Sequence, residues 1–478
     1  MRHSWAALGL AGILASQGMV ELLAADWPQF RGPRSAGLAT DGAAYPAKIG
    51  PGENVVWRTE LPPGHSSPVL VGDKIFLGAV RGDELLTMAL DRATGKVLWE
   101  RAAPHDRLES IHRIGSHAQC TPAADETCVV SFFGSSGLFC YDHSGELLWQ
   151  RKMGPFNNDF GAGSSPILSN GRVILAQDHD TDSFLMVLDQ RTGETIWQIP
   201  RSEFLRNYSS PVLWEQGERT DVVLAGTLRV AGYDLATGQE RWTVRGISRT
   251  VCMTPVVGDD GCLYVAGWAA GGDEGGEALV IEPFNRLIAE ADANRNGGFE
   301  EDELPTGAIK QRFVQVDRDK DGTITEPEYE YFREIVDKGR NLVLSIRPGA
   351  EGEATETHVR WKQARLVPFC ASPLYVDGLV FTVKDGGIVS CLNAATGKPT
   401  KQGRLEANGN YYASPVAADG KVYLLDEQGR LTVLSANDKW ETLHTASFGE
   451  DGYATPAVVD GKVYLRTAKA LYAFGEPQ

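Results

Sequence analysis

Short apolar runs closed by polar Gly/Asp turns alternate along the chain, which is the pattern of strands joined by hairpins and not of long helices. The runs recur in register. A Ser/Thr-Pro pair followed by an apolar run occurs eight times, at Ser67-Pro68, Thr121-Pro122, Ser165-Pro166, Ser210-Pro211, Thr254-Pro255, Ser372-Pro373, Ser414-Pro415 and Thr455-Pro456. Successive prolines stand 54, 44, 45, 44, 118, 42 and 41 residues apart. A period near 44 holds four short strands and their turns, the content of one propeller blade, and the single long step marks an insertion of about 75 residues.

Within each repeat the Pro leads into a strand, a Gly/Asp hairpin such as Val71-Gly72-Asp73-Lys74 or Val459-Asp460-Gly461-Lys462, and a β-branched and aromatic strand. A third strand ends in an Asp-x-x-Thr-Gly turn at Asp91–Gly95, Asp189–Gly193 and Asp234–Gly238, with variants at Asp142–Gly145 and Asn393–Gly397. Four residues past the Gly stands a Trp: Trp99, Trp149, Trp197 and Trp242, with Trp361 and Trp440 expected in the same place in degenerate repeats. Recurring once per blade at a fixed position, these indoles predict packing between neighbouring blades. The segment Asn54–Leu61, with Trp57, reads as a fourth strand lying ahead of the first repeat, while the last repeat stops at Phe474 with three. Pairing the two closes the ring and removes both edges. The predicted fold is all-β: an eight-bladed β-propeller of four-stranded antiparallel blades, with a small α-helical insertion in blade 5. The divisions are a leader at 1–25, propeller at 26–268, insertion at 269–340 and propeller at 341–478.

Charge narrows the partners. With 46 Lys+Arg against 63 Asp+Glu the formal net charge is −17, so the basic footprint of a nucleic-acid binder is missing. Arg2 and His3 precede an apolar run from Trp5 to Ala15, too short to span a membrane, and Ala24 and Ala25 offer a cleavage point; this reads as a secretory signal, with no membrane span to follow and an extracytoplasmic (periplasmic or secreted) destination. The seven cysteines are odd in number, and Cys140 and Cys391 occupy the position that Ala89, Val187 and Gly232 fill elsewhere, so most are expected as buried reduced thiols.

The insertion carries the sharpest chemistry. From Asp317 the chain reads DRDKDGTITEPE, placing Asp317, Asp319, Asp321, Thr323, Thr325 and Glu328 at EF-hand loop positions 1, 3, 5, 7, 9 and 12, with Gly322 at the sharp turn. From Asp292 a second copy, DANRNGGFEEDE, offers Asp292, Asn294, Asn296, the Gly298 carbonyl and Glu303. Apolar residues fall at helical spacing before and after the loops (Phe284, Leu287, Ile288; Phe313, Val316; Tyr329, Phe332, Ile335), and Phe299 and Ile324, at position 8 of each loop, are placed to bridge. Two calcium ions are the expected ligands. Strand parity puts this insertion on the face from which each Ser/Thr-Pro strand enters. That face collects a polar and aromatic funnel: His65, His117, Asp159, Asp178, Asp180, Asp182, Asn207, Arg249, Tyr411, Tyr412, Asp451 and Tyr453. Such a channel mouth is a natural small-ligand site.

The start Asp26-Trp-Pro-Gln-Phe-Arg-Gly-Pro33, together with the Asp-x-x-Thr-Gly-x-x-x-Trp repeats, resembles the pyrroloquinoline-quinone-like β-propeller repeat family over nearly all of the chain outside the insertion. The resemblance implies one of two functions. One is that of a scaffold such as the outer-membrane assembly lipoprotein; the other is that of a quinoprotein dehydrogenase of alcohols or sugars, with pyrroloquinoline quinone (PQQ) at the channel mouth. No adjacent Cys-Cys pair of the dehydrogenase kind is present, and no Cys stands near the cleavage point to take a lipid. The expected function is therefore an exported calcium-binding propeller acting as a ligand- or protein-binding module, the quinoprotein oxidoreductase being the alternative.

Overall fold

The structure, a computed structural model, describes residues 25–180, 182–270 and 280–476. The leader lies outside the described residues but for Ala25. Eight sheets follow one another around a central channel, each an antiparallel set of four strands. In blade 1 these are Val69–Val71, Lys74–Arg81, Glu84–Asp91 and Val97–Ala103. An inner strand such as Val69–Val71 is buried throughout, whereas outer ones such as Thr195–Pro200 alternate between exposed and half-buried positions, as a strand with one covered face must. Blade 8 is closed as predicted: Val55–Glu60 pairs antiparallel with Ala470–Gly475, with Trp57 opposite Ala473. Blade 4 alone gains a fifth strand, Gly352–Glu353, parallel to its outer edge.

Two interfaces repeat from blade to blade. Around the channel, the backbone N–H of each Ser/Thr before the proline donates to the hydroxyl of its counterpart in the next blade, from Ser67 to Thr121 and on through Thr455 back to Ser67, at 2.9–3.2 Å. All eight residues are buried. Each strand thereby satisfies its first inward N–H with a side chain, and the following Pro has no N–H left to pair. At the periphery, the indoles of Trp57, Trp99, Trp149, Trp197 and Trp361 donate to carbonyls of the next blade at 2.8–3.2 Å. The turn glycines Gly95, Gly145, Gly193, Gly238 and Gly397 lie flat on those same rings, where an added Cβ would come within 2.4–2.8 Å of the indole. The Trp and the Gly of the repeat are thus two halves of one contact.

Two tryptophans depart from the expectation. Trp440 lies ahead of the outer strand Thr442–Ser447, and the register position belongs to His444 in blade 7 and to Lys401 in blade 6. The Lys401 ammonium sits 4.5 Å from the Trp440 ring and donates to its carbonyl at 2.6 Å, so this junction is built the other way round. Trp242 turns into its own blade, donating to Asp221 at 2.8 Å, because blade 5 has no short Asp-x-x-Thr-Gly turn to receive it; Trp214 reaches blade 5 instead, at the Gly261 carbonyl.

The segment from Asp26 to Pro33 does what periodicity could not reveal. Trp27 bridges to Leu70 of blade 1, the Pro28 carbonyl accepts from Ala124 of blade 2, and Arg31 donates to the Pro373 carbonyl of blade 6 at 2.8 Å. Blades 2 and 6 are opposite in a ring of eight, so the segment crosses the channel and fills it with the buried Trp27 and Arg31.

Between the second and third strands of blade 5 (Leu263–Gly267 and Leu342–Ile346) stand helices Phe284–Ala291, Phe313–Val316 and Glu326–Lys338 around a core of Phe284, Phe299, Phe313, Ile324, Tyr329 and Phe332. Phe299 and Ile324 form the expected bridge. Arg318 donates to the Ser202 carbonyl at 2.7 Å and Tyr331 to that of Glu203, both in the connection entering blade 4. The insertion therefore sits on the predicted face.

Candidate functional site

The channel mouth forms a cup of about 250 Å³. Its walls are two rings. One consists of the eight hydroxyl residues already described; the other of the residues two positions earlier in each repeat, His65, Gln119, Gly163, Tyr208, Cys252, Cys370, Tyr412 and Tyr453. Phe160 and Phe369 add apolar wall, and Phe30, from the segment that crosses the channel, belongs to the same lining. His65 stacks on Tyr453 with centroids 4.1 Å apart, and Tyr412 leans on the same ring at 5.4 Å. Opposite them Phe160 meets Tyr208 edge-on at 6.1 Å. Burial, helped by the nearby Arg466 guanidinium, pushes the His65 imidazole down to about 4, so it is neutral at pH 7. Burial likewise carries the Tyr208 phenol well above its usual range. Among the described residues the lining contains no Asp, Glu, Lys or Arg.

Of the twelve residues predicted at the mouth, the cup gathers His65, Tyr412 and Tyr453. The others serve elsewhere. His117 lines a separate small recess with Glu109 and Phe133. Asp178 is buried and grips Arg201 with both oxygens, at 2.8 and 3.0 Å; Asp180 holds Arg206 in the same way, and Arg206 also reaches Asp159. Asn207 is buried, donating to the Leu205 carbonyl and accepting from Val251 N–H. Tyr411 points into the blade core and donates to Ala407 O at 2.6 Å, while Arg249 donates to Ala270 O. Asp182 and Asp451 are exposed. The charges were misplaced because chain position fixes the face but not the direction of a side chain: buried carboxylates and guanidinia find each other, since an unpaired buried charge costs several kcal/mol. Phe30 and the thiols were missed. The third residue before each Pro picks out all eight ring members, Cys252 and Cys370 among them.

A planar quinone would find aromatic walls here, but the tricarboxylate PQQ would find no cation among the described lining residues to offset its charge, and those residues do not fit it.

In the insertion, one ligand atom each from Asp317, Asp319 and Asp321 lies within 4.8 Å of the others. Asp317 is 5% exposed, and its Oδ1 is buried with no hydrogen-bond partner. Such an orphaned anionic oxygen, beside two more carboxylates in a loop whose Gly322 takes φ +92°, is the donor chemistry of a hard cation. Glu328 at present accepts from Thr325 N–H and Oγ1 at 2.9 and 2.7 Å, capping the helix Glu326–Lys338. In the other loop, Asn294 and Asn296 donate to Glu300 at 2.8 and 2.7 Å, and Glu303 accepts from Ala293 and Asn294 N–H. Glu300, at loop position 9, is a further carboxylate that the sequence reading passed over; an acidic residue at that position was its signal.

A cup over a filled channel, with a helical insertion on the same rim, completes the description of an eight-bladed β-propeller. The chain belongs to the family described as outer membrane protein assembly factor BamB, whose model matches residues 89–268 and 336–474, the two sides of the insertion. Among solved structures it is similar to BamB from Moraxella catarrhalis, at 14% identity and a TM-score of 0.55 over 88% of this chain and 97% of that one. It is also similar to a europium-containing methanol dehydrogenase (9%, 0.60, over 94% and 98%) and to the quinohemoprotein alcohol dehydrogenase from Comamonas testosteroni (13%, 0.53, over 95% and 81%). At such identities the likeness is one of fold. Among curated proteins none matches the sequence. Among the described residues no helix is long and apolar enough to cross a membrane.

Proposed function

We propose that the protein is an exported, calcium-binding propeller that works as a binding module, holding an uncharged, planar small molecule in the cup while the calcium-loaded insertion 269–340 presents the rim to partners. The observation that carries the reading is the lining of the cup: aromatic faces, hydroxyls and a neutral imidazole, with no carboxylate, amine or guanidinium among the described residues to act as a base or to hold a charged cofactor. An apolar pocket with a few convergent polar groups is the usual form of a small-ligand site. Membership of a family named for an assembly factor supports a scaffold role over catalysis. For calcium, support comes from the converging Asp317, Asp319 and Asp321 with the orphaned Asp317 oxygen. The ion would neutralise these carboxylates and fix the hairpin against the connection entering blade 4. Export rests on the Arg2–Ala25 pattern.

The test is native mass spectrometry of the full chain with calcium, against a panel of neutral aromatic compounds and PQQ, using Tyr453→Ala as the cup variant. A neutral aromatic that is retained by the native protein and lost from the variant supports the reading. Retention of PQQ, with dye-linked alcohol oxidation abolished by the same change, overturns it in favour of an oxidoreductase.

A further inference from the structure

Cys252 and Cys370 hold the same place in neighbouring blades, two residues ahead of Thr254 and Ser372. Those two residues are joined directly, Thr254 N–H donating to Ser372 Oγ at 3.0 Å, so the strands that carry the thiols run side by side. The side chains of Cys252 and Cys370 both line the cup. Every other member of their ring is an aromatic, an amide, an imidazole or a glycine, so blades 5 and 6 alone bring sulfur to the cup. Cys128 and Cys140 share another part of the molecule, but these are 2% and 0% exposed inside the blade 2 and 3 core, whereas Cys252 and Cys370 are each partly exposed. The accessible pair and the cup coincide.

Two thiols on adjacent strands at an aromatic wall, with no carboxylate among the described lining residues, offer what a soft d¹⁰ cation selects and a hard one does not. From this geometry we infer that Cys252 and Cys370 form a two-sulfur site for a soft, thiophilic metal ion, of which Cu(I) is the probe, in the wall of the cup. Binding replaces both S–H bonds by S–Cu bonds, Cu⁺ + 2 R–SH giving [Cu(SR)₂]⁻ + 2 H⁺, with no change of oxidation state. Affinity therefore rises with pH as the thiol protons become easier to displace. The neighbouring phenols Tyr208 and Tyr412, on the next blade at either side, flank the pair. The inference needs the cup to be open to small solutes, as the proposed function does, but it needs neither the organic ligand nor calcium.

The experiment titrates the full-length reduced protein, in calcium and without oxygen, with Cu(I) held by a coloured competing chelator. Beside it run Cys252→Ser, Cys370→Ser and, as a control for thiols outside the cup, Cys128→Ser. The expected result is about one equivalent of Cu(I) drawn from the chelator with release of protons. Cys252→Ser and Cys370→Ser should each weaken this by about a hundredfold, as loss of one of two ligands should, while Cys128→Ser leaves it unchanged. Circular dichroism of each variant checks that it is folded. The inference is overturned if the chelator keeps its copper, or if Cys252→Ser binds as the parent does. It is overturned equally if thiol counting of the protein as isolated shows Cys252 and Cys370 already joined as a disulfide; that outcome would leave the cup as an organic-ligand site intact. Failure of the cup to retain any neutral aromatic, with copper still bound, would instead sink the proposed function alone.

Discussion

Replacing Gly95 by Ala tests whether the turn glycine is there for its backbone or for the ring beneath it. Gly95 takes φ +71°, and an added Cβ would lie 2.4 Å from Cε3 and 2.7 Å from Cδ2 of Trp57, and 2.5 Å from Thr59 Oγ1. Carbon atoms prefer 3.5–4.0 Å, so the overlap exceeds about 1 Å. Trp57 has little freedom to yield: it is 9% exposed, and its indole N–H is bonded to the Arg92 carbonyl at 3.2 Å. Gly171 supplies the control, having φ +72° in a hairpin where a Cβ would meet nothing within 4 Å. Left-handed backbone alone costs about 1–2 kcal/mol for Ala, so Gly171→Ala should lose that much. Gly95→Ala should lose the same plus about 1–3 kcal/mol of overpacking. With m near 3 kcal/mol/M, the excess moves the urea midpoint down by about 0.3–1 M relative to Gly171→Ala, read by circular dichroism. In a Trp57→Ala background the excess should vanish. Equal midpoints for Gly95→Ala and Gly171→Ala would refute the idea that ring and glycine form one contact across the blade 8–blade 1 seam.

Thr121→Val keeps the shape of the side chain but leaves the Ser67 N–H without its acceptor in a buried ring, and should cost about 1–3 kcal/mol in a denaturant titration, against little for Thr121→Ser. His179 is 2% exposed, neither ring nitrogen has a hydrogen-bond partner among the described residues, and burial pushes its imidazole down to about 4. The unfolded chain therefore takes up a proton first as pH falls, so stability is lost between about pH 6.5 and 4, on the order of 3 kcal/mol from this group; His179→Phe should flatten that slope, and an unchanged slope counts against it. Calorimetric calcium titration should show two sites. Asp317→Ala should remove the tighter and Asp292→Ala the weaker, because the loop from Asp317 offers three Asp and a Glu; Glu300→Gln should weaken only the second. Deleting residues 26–61 removes the closing strand and the segment that fills the channel, and should make the protein protease-sensitive; a truncated chain that melts like the parent would contradict the closure.

What the sequence settled by itself is everything that repeats. Eight Ser/Thr-Pro pairs, their spacing and the Asp-x-x-Thr-Gly turns gave the blade count, the ring closure through Trp57 and the place of the insertion, because each local signal recurs in several repeats and errors in one repeat are corrected by the others. The face on which the insertion sits followed from strand parity, which is a property of antiparallel connection and needs no coordinates. The tertiary structure decided what happens once. The crossing of the channel by Trp27 and Arg31, the reversed contact of Trp440 with Lys401, and the withdrawal of Asp178, Asp180, Arg201 and Arg206 into ion pairs all depend on which side chains face each other across blades far apart in the chain. So does the cup. Its walls come from eight separate repeats, and whether a residue three before a proline faces ligand or solvent is fixed only when the ring closes and the N-terminal segment lays Phe30 against it.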